Sequence, residues 1–184
     1  MSHVNTKRSK ISFVLLTAFL LVAATFVSVA PAAEFTGAKG ISFTHPAEWT
    51  ATETQQGPAT IISLMNPSQP MISIAVTLAE GSVPENTPLP DEATVKTTLD
   101  AALATYGQGA KLTLLTYKKT TIAGHDAVLY EYTTDVNEMS VHTRYATFFN
   151  GTDMIAITSA YMDKSLIADG QKISEGIENS LTLK

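Results

Sequence analysis

Downstream of its first thirty-three residues the chain carries one arginine, Arg144, and three histidines, His45, His125 and His142, and it has no cysteine anywhere. Arg144 sits inside an alternating run, with His142 two residues before it and Glu131 on the preceding run. A guanidinium can hold a carboxylate through two parallel hydrogen bonds, a geometry lysine cannot copy. Glu131, His142 and Arg144 are therefore the candidate binding patch. Two uses are open to it. A cross-strand ion pair would patch one face of a sheet and contribute roughly 0.2–1 kcal/mol. An anion or ligand site would use Arg144 and His142 on an accessible face, and Arg144→Ala would then weaken binding while hardly moving stability.

No catalytic, cofactor-binding or metal-binding signature accompanies the patch. No two of these histidines stand at the i+2, i+3 or i+4 spacings of a metal site, and thiolate ligands and thiol nucleophiles are excluded outright. Glu80, Glu85, Asp91 and Glu92 are oxygen ligands of the kind Ca²⁺ favours, but they match no calcium-loop pattern and read as a solvated acidic loop. Neither G-x-S-x-G nor S-x-x-K occurs, and there is no phosphate-binding loop. Asn150-Gly151-Thr152 fits the glycosylation sequon, but a hairpin turn explains it fully.

The elements that must position these side chains are mostly strands. Alternation marks runs at 40–45, 50–54, 59–65, 71–78, 112–121, 127–134, 140–149 and 152–160. Asn150-Gly151 predicts a type I′ turn that pairs Phe149 with Thr152, hence Tyr145 with Ala156 and Arg144 with Ile157. A turn at Val136-Asn137 predicts Glu131 across from His142 and Val128 across from Tyr145. One face of this meander then carries Val128, Tyr130, Tyr132, Val141, Tyr145, Phe149 and Met154. The other carries Ala127, Leu129, Ala146, Phe148, Ile155 and Ile157. Both faces are apolar, so both call for cover. Two helices are available. One follows Pro90, with Asp91 as N-cap and Val95, Leu99, Ala102, Leu103 and Tyr106 along one side. The other starts near Asp163 and carries Leu166, Gly170, Ile173 and Ile177, with Gly170 and Gly176 each weakening it by about 1 kcal/mol relative to alanine. The predicted class is α+β, an α-β-α sandwich around a mostly antiparallel sheet.

Several stretches resemble the PsbP/Mog1/DcrB-like superfamily. Gly40-Ile41-Ser42-Phe43-Thr44-His45-Pro46-Ala47-Glu48-Trp49 resembles its opening strand closed by Pro-x-x-Trp. Thr121-Ile122-Ala123-Gly124-His125-Asp126-Ala127 resembles its middle turn. The Asn150-Gly151 hairpin with Ile155-Ala156-Ile157-Thr158 resembles its late strand pair, and the stretch 173–181 its closing helix. The likeness spans nearly all of 40–183. It implies a small sandwich whose members are mostly non-catalytic: some assist or stabilise photosystem II, one branch binds a small GTPase, and some bacterial relatives act as chaperones. The lipobox cysteine of the lipoprotein branch is missing here. The residues themselves assign structural roles to Pro46, which cannot donate to a ladder, to Trp49 as a plug at one end of the core, and to Gly124 as a positive-φ turn residue.

Bulk properties set the setting. Lys7, Arg8 and Lys10 precede an uncharged run at 11–30, followed by the small residues Ala30-Pro31-Ala32-Ala33. That pattern predicts a signal peptide at 1–33 and a single domain at 34–184, extracytoplasmic (periplasmic or secreted), and an exported chain without cysteine points to a bacterial source. Retention of the apolar run as a membrane anchor is the alternative. From Glu34 onward nine Lys and Arg face seventeen Asp and Glu, a net of −8, which repels nucleic acid and anionic lipid. The expectation is an exported, non-catalytic protein, without cofactor, that binds or assists assembly of an envelope or membrane protein. Its working surface would be the sheet face or the loop at 79–89. A small-ligand carrier, or a hydrolase with a dispersed active site, is the competing expectation. Oligomeric state and partner identity are left open.

Overall fold

The computed structural model describes residues 31–104, 109–136 and 139–184. A signal at 1–33 falls almost wholly outside them, as do Tyr106, Gly107 and Asn137. Nine strands run in chain order: β1 (Ala32–Thr36), β2 (Ser42–Pro46), β3 (Thr50–Gln56), β4 (Ala59–Met65), β5 (Ile72–Ala79), β6 (Lys111–Ile122), β7 (His125–Val136), β8 (Met139–Asn150) and β9 (Asp153–Tyr161). The helices are α1 (Glu92–Leu103) and α2 (Ile167–Ser180), the latter entered through a 3₁₀ turn at Lys164–Leu166. β1 was not foreseen, because Ala32 and Ala33 read as the small-residue exit of a signal. Here they begin a strand antiparallel to β2, paired with Pro46 and His45.

Seven strands form one antiparallel sheet in the order β3-β4-β5-β9-β8-β7-β6. Alternation assigns the two faces correctly, since side chains along a strand switch sides at every residue. The core face carries Ile62, Leu64, Ile72, Ile74, Val76, Leu78, Leu129, Ala146, Phe148, Ile155, Ile157 and Tyr161, all buried. Over it lie α2 and the β1-β2 ribbon, whose Ile41 and Phe43 join the same core. Trp49 is buried there as well. The C-terminal tail closes this layer: Thr182 N–H donates to Ser42 O at 2.8 Å, and Ser42 N–H returns a bond to Thr182 O at 3.0 Å.

The register differs from expectation in both hairpins, by two residues each. Asn150 pairs with Asp153, so Arg144 lies opposite Ser159 rather than Ile157, and Tyr145 opposite Thr158. The turn residues are Gly151 and Thr152, and only Gly151 has positive φ, +63°. That is the pattern of a type II′ turn, with Asn150 kept inside the strand. In the other hairpin Val136 pairs with Met139, which puts Glu131 directly opposite Arg144 and Val128 opposite Thr147. A shift of two preserves every face and changes every partner. The turn at Ala123-Gly124 has φ of +52° and +81°, a type I′ geometry with alanine in the first place.

Cover on the second face is partial. α1 and the segment before it sit above β6, with Val95 and Leu99 buried. Asp91 caps α1 as predicted, accepting from Thr94 N–H at 2.8 Å. Asp163 accepts from Ser165 N–H at 2.8 Å and so caps the 3₁₀ turn, which displaces the start of α2 to Ile167. Toward β4 and β5 the second face carries Ser63, Ser73, Ala75 and Thr77, none of them buried. These small and hydroxyl-bearing side chains do not demand a covering helix, and Ile61, Met65 and Met71 on the same face stay partly or largely exposed.

Candidate functional site: an ionic clasp and a tyrosine face

The corrected register aligns Glu131, Arg144 and Ser159 in one row across β7, β8 and β9, on the core face. His142 occupies the next row on the same face, diagonal to Glu131. Above them α2 presents Gln171, Ser174 and Glu178, spaced i, i+3 and i+7 and hence on one side of a helix. The seven side chains interlock. Arg144 Nη2 donates to Glu178 Oε2 at 2.8 Å and Oε1 at 2.9 Å, and Nε donates to Oε1 at 3.2 Å. Its Nη1 donates to Glu131 Oε1 at 3.2 Å. His142 Nε2 lies 2.9 Å from Glu131 Oε2, and Gln171 Nε2 donates to both Glu131 oxygens at 3.0 and 3.1 Å. Ser174 bonds Ser159, bridging helix to sheet, and Tyr161 Oη lies 3.3 Å from Ser174 Oγ.

Electrostatics fit a closed clasp. Arg144 is only 3% exposed. Burial works to lower its pKa, but the Glu178 and Glu131 carboxylates outweigh it and hold the pKa above the ordinary value. Burial pushes the Glu178 carboxyl up, against the pull of Arg144. An outside anion would have to displace Glu178 and lift α2 to reach the guanidinium. The geometry therefore does the work of an ion pair that fastens a helix to a sheet. Glu178 and Gln171 were not singled out in the sequence. Their signal was available in the spacing 171, 174, 178, which puts polar residues beside the buried Ile177, but it means nothing until a buried charge is known to wait beneath.

The other candidates do not converge. His45 Nδ1 lies 3.0 Å from Pro46 O, and the ring of His125 stacks on Phe148 at 5.3 Å. Glu80 pairs with Lys39 at 2.9 Å, and Asp91 is spent on the α1 cap. Among the described residues, no three His, Asp or Glu side chains gather closely enough to hold a metal ion.

The second face offers a half-buried aromatic surface instead. Tyr117, Tyr130 and Tyr145 form a row across β6, β7 and β8. Tyr130 and Tyr145 have ring centroids 5.1 Å apart, and Tyr132 stacks beside Tyr130 at 6.1 Å. Tyr117 donates to Pro90 O at 2.8 Å, fixing the segment before α1. Burial raises the pKa of Tyr130 and Tyr145, so both phenols stay neutral. Nearby, Thr87, Pro88, Leu89, Pro90, Asp91, Thr94 and Phe149 line an open groove of about 460 Å³.

No family model matches the sequence, and no curated protein sequence matches it. Solved structures do. The solution structure of cyanobacterial PsbP (CyanoP) from Synechocystis sp. PCC 6803 superposes with a TM-score of 0.65 at 12% identity, covering 89% of this chain and 99% of that one. The chain has the PsbP/Mog1-like fold. The Saccharomyces cerevisiae Ran-binding protein Mog1p is similar at a TM-score of 0.51 and 11% identity, covering 79% of this chain and 84% of its own. At such identities the likeness is one of PsbP/Mog1-like architecture, and the site must be argued from its own side chains.

Proposed function

We propose that this protein is an exported, non-catalytic binding domain that docks a protein of the cell envelope through the second face of its sheet. The observation that carries the reading is the neutral row Tyr117–Tyr130–Tyr145, with Tyr132 stacked beside it and an open groove at its margin. Tyrosines held by a sheet give large, rigid contact area at low entropic cost, and they are enriched where protein interfaces concentrate their energy. The ionisable groups of the core face point inward and neutralise one another, which suits a scaffold better than an acid–base site. The basic start, apolar run and small-residue exit at 1–33 support export and a domain at 34–184. Mog1p, of the same fold, is a protein-binding protein by name.

The test is quantitative affinity purification of the full chain from its own envelope fraction, against a Tyr132→Ala/Phe149→Ala variant that folds normally. The expected result is a defined partner enriched by the parent and lost with the variant. Equal recovery by both, or turnover in an activity screen, contradicts the reading. The groove also favours a second reading, a small-ligand carrier, since its volume lies in the range of ligand sites. Co-purification of a small molecule in place of a protein would select it.

A further inference from the structure

Four of the six methionines gather on one rim of the sheet, in water. Met65 is 68% exposed, Met71 48%, Met139 68% and Met162 59%, and Leu115 is the one other large apolar side chain so bare among the described residues. Nothing in their spacing along the chain joins them; the register does. β5 and β9 pair Ile72 with Tyr161. One step on, Met162 N–H donates to Met71 O at 3.0 Å, so these two stand opposite each other. Opposed residues have Cβ atoms about 4.5–5.5 Å apart. β4 and β5 pair Leu64 with Ile74, which sets Met65 beside Ser73 and diagonal to Met71. β8 and β9 pair His142 with Tyr161, which sets Val141 beside Met162 and Met139 diagonal to it. Diagonal neighbours lie about 7–8 Å apart, within reach of long side chains. Leu64, Ile72, Tyr161 and His142 belong to the core face, so by alternation all four methionines fall on the second face. The strip therefore reads Met65–Met71–Met162–Met139.

Leucine or phenylalanine would serve an apolar contact as well. What methionine adds is a soft, polarizable thioether on a flexible stem. Soft sulfur ligands select Cu(I), whereas carboxylates and carbonyls suit Mg, Ca and Mn. The strip is bordered by Ser73, Thr143 and Ala160, which bring no charge. Asp163, next to Met162, is occupied by Ser165. We propose that the strip binds a soft monovalent cation, Cu(I) or its analogue Ag(I), with Met71 and Met162 at the centre and Met65 or Met139 completing the site. The ion arrives and leaves in the +1 state, so no electron is exchanged. In a chain without cysteine, thioethers are the soft ligands available.

The experiment is NMR of the full chain labelled with ¹³C at the methionine methyls. It is titrated with silver nitrate and, without oxygen, with Cu(I) as its acetonitrile complex. The methyls of Met65, Met71, Met139 and Met162 are expected to shift. That of Met154, which pairs with Phe149 toward the other end of the sheet, is expected to stay. Met71→Leu with Met162→Leu keeps side-chain volume and hence the fold, and should weaken binding of either ion by at least about tenfold. Absence of shifts with both ions, equal movement of Met154, or undiminished affinity of the folded double variant would each overturn the site and leave the strip as an apolar contact surface.

Discussion

At Gly170 a Cβ would fall inside the ring of Tyr161, whereas at Gly176, on the same helix, it would meet nothing within 4 Å. Helix propensity alone favours alanine at both sites. Packing reverses the sign at the first: Gly170→Ala should cost about 1–3 kcal/mol, while Gly176→Ala should stabilise by roughly 0.4–1 kcal/mol, both read from urea unfolding midpoints. The sequence shows two glycines of equal standing, because the ring that distinguishes them arrives from β9. Arg144 follows the same logic. Arg144→Ala leaves Glu178 and Glu131, both part-buried, without their cationic partner, and should cost about 3–5 kcal/mol. Replacing Arg144 by Met and Glu178 by Leu together should recover much of that loss. Glu178 also sets a pH dependence. Its folded pKa is raised above 4.5, so the folded chain holds this proton more firmly than the unfolded chain. Its contribution therefore weakens the fold as pH climbs from about that value through the raised one. In Glu178→Gln the slope of stability against pH should be less negative across that window.

The two helices are held differently. α2 buries Gly170, Ser174 and Ile177 and is clasped at Arg144, whereas α1 buries only Val95 and Leu99 over an edge strand. Backbone amides of α1 should therefore exchange with solvent faster than those of α2, by hydrogen-exchange mass spectrometry. The α1 cap was legible in advance, since Pro90-Asp91-Glu92 states both the stop and the acceptor. Its titration is opposite in sign to that of Glu178. The bond from Thr94 holds the Asp91 pKa below 3.8, so its stabilisation is present above that value and is lost as pH falls through the lowered one. Asp91→Asn keeps an acceptor and should remove that acid-side loss. Faces of strands were legible too, because the period of two survives any even error. Partners were not: the position of a two-residue turn depends on which residue takes positive φ, and both Asn150 and Gly151 can. The clasp was thus half visible, with Glu131 and Arg144 in view but each one rung away from its true place.

Taken whole, the molecule is a sheet with one sealed side and one side only partly covered. Zero cysteines, eight alternating runs and two amphipathic segments were enough to give the class, and the Pro46–Trp49 and Ala123-Gly124 elements supported the fold. The proposed working surface was harder to read. Tyr130, Tyr132 and Tyr145 were sorted to the correct face, but Tyr117 was not placed, and how much of that face stays uncovered depends on where α1 lands, which depends on Tyr117 meeting Pro90 across the fold. The methionine rim was invisible for the same reason, being assembled from four strand ends. Docking of a protein on the second face is the central proposal. Its most direct test is site-specific photo-crosslinking in the full chain, in its own cells, with the crosslinker placed at Tyr132 or, as a control, at the exposed Lys172 on α2. Docking on the second face predicts one discrete protein adduct from position 132 that is absent from position 172. No adduct at 132, or the same adducts from both positions, would contradict it.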